Sequence, residues 1–316
     1  MKKITEILHY RNLWPYVAII LAFTIWGINY IVAKLTLQEI PPMSLAFLRF
    51  FIASLFLVPF LLFEKKKVKI DKNDLPRLIG IGLLTITFSI SFFYLGIART
   101  RAIDASALSM SVPVLSVLFA WVFLKEKIFT INLVGLASGL IGAIIILGVP
   151  LALAGLGFNP QAMIGNLLIL MGNISWVLGA ILSRQLLKKY STLTITSILF
   201  LIGTITFLGP AVREYLLDPS WPNNLTYLGL LGLTYIALLS SIVAFFLFEW
   251  SLKKLGVVKA DLFQYIEPPI AAILAYFVLA EKLDPSFIFG ITLIIIGVYW
   301  GTLGRDNHKH PKYHRT

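Results

Sequence analysis

Long apolar runs alternate with short polar breaks along the whole chain. Apolar blocks between charged or Pro/Gly/Asn-rich interruptions fall at 14–37, 42–63, 75–98, 102–124, 130–149, 162–187, 191–213, 225–252, 257–280 and 284–304. An α-helix needs about 20 apolar residues to cross a hydrocarbon core. Blocks of this length predict ten transmembrane helices, because only a backbone that satisfies its own hydrogen bonds can sit in lipid. The run from Trp14 is too long for a signal-peptide core, has no small-residue cleavage site after it, and is read as the first span.

The ninth block has an earlier echo. SVPVLSVLFAWVFLKEK (111–127) aligns without a gap on IEPPIAAILAYFVLAEK (266–282), pairing Pro113 with Pro268, Ala120 with Ala275, Leu124 with Leu279, Glu126 with Glu281 and Lys127 with Lys282. The same offset pairs Gly135 with Gly290 and Gly142 with Gly297. Leucines and alanines match by chance in apolar sequence; the proline, the Glu-Lys pair and two glycines together do not. The chain reads as a duplicated five-span unit, repeat one over 14–149 and repeat two over 162–304, followed by a cytoplasmic tail at 305–316. Five is odd, so the copies must enter the membrane from opposite sides. The fold class is therefore all-α integral membrane, ten helices as two inverted five-helix repeats, an architecture recurrent in secondary transporters.

Composition and charge sharpen this picture. Of 316 residues 58% are hydrophobic and 13% charged, whereas soluble domains carry about 25% charged residues. The net charge of +12 lies in loops and tails such as EKKKVK (64–69), which suits anionic lipid headgroups better than nucleic acid. With the N-terminus cytoplasmic, 21 of the 27 Lys and Arg fall on that side, five on the other, and Arg49 inside a span. The positive-inside rule then places both termini in the cytoplasm. Cysteine is absent, which removes disulfides and thiolate metal sites.

The quoted motifs resemble the drug/metabolite transporter superfamily, in its EamA-type branch. WGINYIVAKL (26–35) is similar to the signature of that family's first helix, LRFFIAS (48–54) to the Arg-Phe element of its second, and ISWVLGAILSRQL (174–186) to its sixth. The two Pro…Glu-Lys segments resemble its fourth and ninth. The resemblance implies ten helices around a central cavity, export of small organic metabolites such as amino acids or related amphipathic compounds, and a bacterial or archaeal plasma membrane.

Several side chains are expensive in lipid and become candidates for substrate binding or coupling. Glu267 lies about 12 Å into its helix at 1.5 Å per residue from Lys259, where an ionised carboxylate must be paired, hydrated or protonated. It reads either as a proton carrier or partner of a substrate ammonium, or as a brace for the backbone. Arg49, seven residues into the second span, is expected to meet a carboxylate, carbonyls or an anionic substrate group. Trp26 and Trp176 open the two copies beside Asn29, Tyr30 and Asn173, an aromatic and polar wall suited to an amphipathic solute. Lys34 can snorkel from its helix end. Pro113, Pro268 and Pro269 are expected to kink their helices and free the carbonyls of Ser109, Gln264 and Tyr265; those carbonyls, with the Gln264 side chain, would line the path. Gly135, Ser138, Gly139 and Gly142, and likewise Gly290, Gly297, Gly301 and Gly304, form small-residue stripes for helix contacts within or between protomers.

No nucleophile-base constellation, phosphate loop or metal-binding pair appears, so neither an enzyme nor a cofactor is expected, and the tail histidines match no metal spacing. The expected partners are a small-molecule substrate and the bilayer, with proton coupling left open, no nucleic acid, and a monomer or homodimer. A membrane receptor or lipid-handling protein that binds without translocating is the alternative.

Overall fold

A computed structural model describes residues 13–63, 70–124, 130–146, 159–183, 186–255 and 262–303. The run 64–69, the Glu126-Lys127 pair, Lys259 and the tail 305–316 lie outside the described residues. Those described are helical, with no strand among them. In chain order they form α1 (Trp14–Thr36), α2 (Pro42–Phe63), α3 (Leu75–Gly82, a π-helical stretch Leu83–Phe88, Ser89–Ile97) and α4 (Ala102–Ser109 and Ser111–Leu124). Then come α5 (Thr130–Ile146), α6 (Pro160–Ser183), α7 (Thr192–Leu217), α8 (Tyr227–Thr234, π-helical Tyr235–Val243, Ala244–Leu255), α9 (a 3-10 turn Leu262–Ile266, then Glu267–Leu279) and α10 (Pro285–Leu303).

By length and apolarity α1, α3, α4, α6, α7 and α8 can each cross a bilayer, and shorter apolar helices occupy α2, α5, α9 and α10. The outer surface is greasy: Phe277, Leu228, Ile205 and Leu216 are all more than 70% exposed. In water such a surface would be an aggregation liability; facing lipid tails it is the surface the composition requires. This is a multi-pass membrane protein.

The expected proline kinks are replaced by helix starts. Pro268 and Pro269 occupy the first turn of the helix beginning at Glu267, where a missing N–H costs nothing because those donors have no intrahelical acceptor. Pro113 likewise sits in the first turn after a break in α4 at Met110. Among the described residues, the prolines inside continuous helices are Pro59 and Pro210.

Contacts define two ends of the bundle. At the near end, where α1 begins, Tyr190 and Lys189 ahead of α7 meet Asp71 and Asp74 ahead of α3. At the far end, where α1 ends, Lys34 reaches the carbonyls of Ile97 and Thr100, and Thr100 bonds Asn166 on α6. Hence α1 begins at the near end and α6 at the far end.

Two helix pairs cross on themselves. On α5 and α10 a Cβ added at Gly142 would stand 2.5 Å from the Gly290 carbonyl oxygen, and one at Gly297 would stand 2.6 Å from that of Gly135. Rising numbers on one helix therefore meet falling numbers on the other, so the pair is antiparallel. Between these contacts Ser138 Oγ donates to the Leu293 carbonyl at 2.8 Å. On α2 and α7, Phe50 packs on Phe200 with centroids 5.2 Å apart, and Ser54 shares a 3.3 Å hydrogen bond with Thr204. These glycines act by close backbone approach within one chain.

Candidate functional site

A cavity of about 160 Å³ lies at mid-depth, walled by α1, α2, α3, α4, α6, α8 and α9. It is comparable to the roughly 150 Å³ engineered cavity that accepts benzene, room for one ring or a solute of that size. Its lining includes Trp26, Asn29, Tyr30, Arg49, Asn173, Trp176, Gln264 and Glu267, all named as candidates on sequence grounds. Tyr265 is not in the lining; its side chain packs against the main core.

Glu267 is buried, at 4% exposure. Two features make the position tolerable. As the first residue of its helix the carboxylate stands at the positive end of the helix dipole, and Tyr30 donates its hydroxyl proton to Oε2 at 3.2 Å. Tyr30 also shares a short hydrogen bond with Ser109 Oγ. Gly27 allows this close crossing of α1 and α9, since a Cβ there would lie 3.1 Å from the Glu267 carbonyl oxygen.

The carbonyl that Pro113 leaves without a helical donor is that of Ser109, and Gln264 Nε2 donates to it at 3.3 Å. Asn173 Nδ2 donates to the neighbouring Leu108 carbonyl at 3.0 Å and to Ser111 Oγ at 3.2 Å. Both amides therefore hold the broken backbone of α4 as well as facing the cavity, as buried carbonyls in an apolar surround require.

Arg49, 5% exposed, donates from Nε to Ser241 Oγ at 2.6 Å and from Nη1 to the Tyr94 hydroxyl at 3.2 Å, with its guanidinium 5.2 Å from the Phe50 ring centroid. Among the described residues no carboxylate pairs with it. Ser241 is aimed here by the π-helical stretch of α8: its hydroxyl donates to the carbonyl of Ile236, five residues back. The same stretch presents the Ser240 carbonyl to Trp26 Nε1 at 3.0 Å. Such π-helical departures from the α-helix recur at functional positions.

The aromatic wall is joint work of three helices. Phe245 stands edge-on to both Trp26 and Trp176, with centroids 5.9 Å from each, and Phe248 packs on Trp26 at 5.2 Å. Sequence reasoning passed over Ser240, Ser241, Phe245 and Phe248; two adjacent serines inside an apolar span were the available signal. Lys34, read as able to snorkel from its helix end, gives its ammonium to the Ile97 and Thr100 carbonyls at that end.

Chemically the lining offers one guanidinium, one carboxyl group, amides and π-faces, and among the described residues no cluster of groups that could hold a metal ion. The profile of the EamA-like transporter family matches residues 13–148 and again 163–302. A Clostridium kluyveri protein named an uncharacterized transporter is 27% identical over 89% of this chain and 91% of its own. YetK of Bacillus subtilis, likewise named a transporter, is 28% identical over 95% and 90%, and a WAT1-related protein of Arabidopsis thaliana is 24% identical over 95% and 82%. One solved crystal structure, 21% identical, shares the fold with a TM-score of 0.60 over 92% of this chain and 96% of that one. With its profile matched along nearly the whole chain, the protein belongs to the EamA-like transporter family.

Proposed function

We propose that the protein is a secondary transporter that exports small amphipathic metabolites, amino acids or related compounds, by alternating access of the mid-depth cavity. In this reading ten transmembrane helices form two inverted five-helix halves, 14–149 and 162–304, in a plasma membrane with both termini cytoplasmic. Several observations support the inversion. Gln264 bonds Ser109 and Ser138 bonds Leu293, each pair 155 residues apart, the offset that superposes the two Pro…Glu-Lys segments. Contacts between equivalent residues are what an axis relating two halves produces. The antiparallel α5–α10 crossing and the opposite starting ends of α1 and α6 fit the same axis, and the family profile matching twice fits two copies.

The observation that carries the functional reading is the convergence of eight polar and aromatic candidates from α1, α2, α6 and α9 on one cavity. In this site Arg49 receives a solute carboxylate, Glu267 and the Asn29 carbonyl oxygen receive its ammonium, and Trp26, Trp176 and Phe245 cover its apolar body. Glu267 is also the group placed to exchange a proton with the solute. The direct test is counterflow in proteoliposomes: vesicles loaded with an unlabelled amino acid from a panel should accumulate the labelled form transiently. Ligand-induced thermal stabilisation without counterflow for any stabilising compound would replace transport with a binding role, and Glu267→Gln should abolish any proton movement that accompanies transport.

A further inference from the structure

At the far end of the bundle the segment after α9 is tied to the start of α4 by contacts that the site itself does not explain. Glu281, just beyond α9, accepts hydrogen bonds from the backbone amides of Ala102 and Ile103, the first turn of α4, at 2.8 and 3.0 Å. An ionised carboxylate on two free amides of a helix start is a charge-assisted cap, here supplied from 179 residues away. Ala280, with φ 52° the one non-glycine residue of positive φ among those described, makes the turn that sends Glu281 back toward α4. Arg101 adds a second tie, donating to Asp284 at 2.5 Å and to the Lys282 carbonyl at 3.2 Å, while also pairing with Asp104 at 2.7 Å. Lys34 brings the end of α1 to the same place through the Ile97 and Thr100 carbonyls.

What is tied matters more than the number of ties. Below this knot α4 contributes Ser109 to the cavity, α9 contributes Gln264 and Glu267, and α1 contributes Tyr30. The knot therefore joins three cavity walls at one end. At the near end the described ion pairs, Lys189 with Asp71 and Asp74, involve neither α4 nor α9.

We infer that Glu281, with the Arg101–Asp284 pair, is the latch that holds the cavity closed at its far end, and that opening toward that face requires the Glu281 carboxylate to leave the first turn of α4. This rests on the alternating-access reading above. Gln in place of Glu keeps the shape of the cap and removes its charge, so the closed arrangement weakens without a new clash.

Because the chain contains no cysteine, a single introduced thiol is a clean reporter. Ile90→Cys places one on the cavity wall, and Asn223→Cys, exposed at the far end, identifies which vesicle orientation presents that end to a membrane-impermeant maleimide. Glu281→Gln is expected to speed labelling of Ile90→Cys from the far end about 2- to 30-fold, the factor that corresponds to loss of a helix N-cap, with labelling from the near end unchanged. Asp284→Asn should act in the same direction, and Lys189→Gln should leave far-end labelling as it was. Unchanged far-end labelling in Glu281→Gln would overturn the latch, and so would equal acceleration from both ends with a lowered melting temperature, which is general loosening. If a transported solute still alters Ile90→Cys labelling in that case, the latch falls and the transport reading stands.

Discussion

Arg49 separates a binding site from a well-braced core. The guanidinium spends Nε on Ser241 and one proton of Nη1 on Tyr94, so at a side chain that lines the cavity three N–H groups have no hydrogen-bond partner among the described residues. A hydrogen bond between a charged group and its partner contributes about 1.5–3 kcal/mol. Arg49→Met keeps the length and apolar volume but removes the charge, so affinity for a carboxylate-bearing solute should fall about 10- to 150-fold. Stability should change little, because the cost of leaving the Tyr94 hydroxyl without its donor is offset by no longer burying an unpaired charge. Arg49→Lys should recover part of the affinity at most, since an ammonium cannot hold Ser241, Tyr94 and a planar carboxylate as a fork does. Ser241→Ala and Tyr94→Phe should show the converse pattern, a loss of stability of about 1–3 kcal/mol from an unsatisfied buried donor. The assay is titration calorimetry on purified protein with a solute identified by counterflow, beside its methyl ester. Wild type should bind the ester about as weakly as Arg49→Met binds the parent acid. A dissociation constant in Arg49→Met within about twofold of wild type, together with a lowered melting temperature, would reduce Arg49 to a brace and refute the argument.

Two further outcomes test the scaffold. Gly142→Ala forces a methyl to 2.5 Å from the Gly290 carbonyl and 3.0 Å from the Ile294 amide, an overpacking expected to cost about 1–3 kcal/mol, whereas Gly80→Ala, with nothing within 4 Å, should be neutral or stabilising by up to about 1 kcal/mol; unfolding in mixed micelles compares them. At the near end the Asn73 amide and then Lys189 hold the Asp71 carboxyl below its ordinary range, while Asp74, assisted by Asp71, holds the Lys189 ammonium above its own. A depressed carboxylate contributes above its unfolded pKa of about 3.9 and loses that contribution as pH falls through the folded value; a raised ammonium contributes below about 10.4 and loses it as pH rises. The melting-temperature difference between wild type and Lys189→Gln should therefore stay constant from about pH 5 to 8 and shrink below about pH 4; a difference already falling between 8 and 5 would contradict the cluster.

Membrane residence, a helical fold and the duplicated segment were legible in the chain because each is one-dimensional. Span length is a count of apolar residues, and the repeat is an offset shared by Pro113 and Pro268, by Gly142 and Gly297. Most of the cavity lining was legible for a related reason: a carboxylate, a guanidinium or an asparagine in an apolar run is costly, and its presence alone calls for a partner or a wet surface. The glycine stripes announced close contacts too, though not with what.

The partner was what only the tertiary structure decided. Nothing local to α4 tells that the carbonyl freed by Pro113 is answered by Gln264, or that Glu281 caps a helix at Ala102. Those bonds cross more than 150 residues of chain, and a single sequence carries no signal of which distant surfaces meet. The prolines at 268 and 269 show the same limit, because a proline reads identically in a helix interior and in its first turn until the preceding backbone is seen to be a 3-10 turn. Ser240 and Ser241 show it again: one extra residue per turn in the π-helical stretch rotates their side chains away from the ordinary helical register. Hydrophobic length determined that this chain enters the membrane and how its segments divide; the packing of distant segments determined which polar groups share a cavity, because a buried hydrogen bond is settled by proximity in space and not by order along the chain.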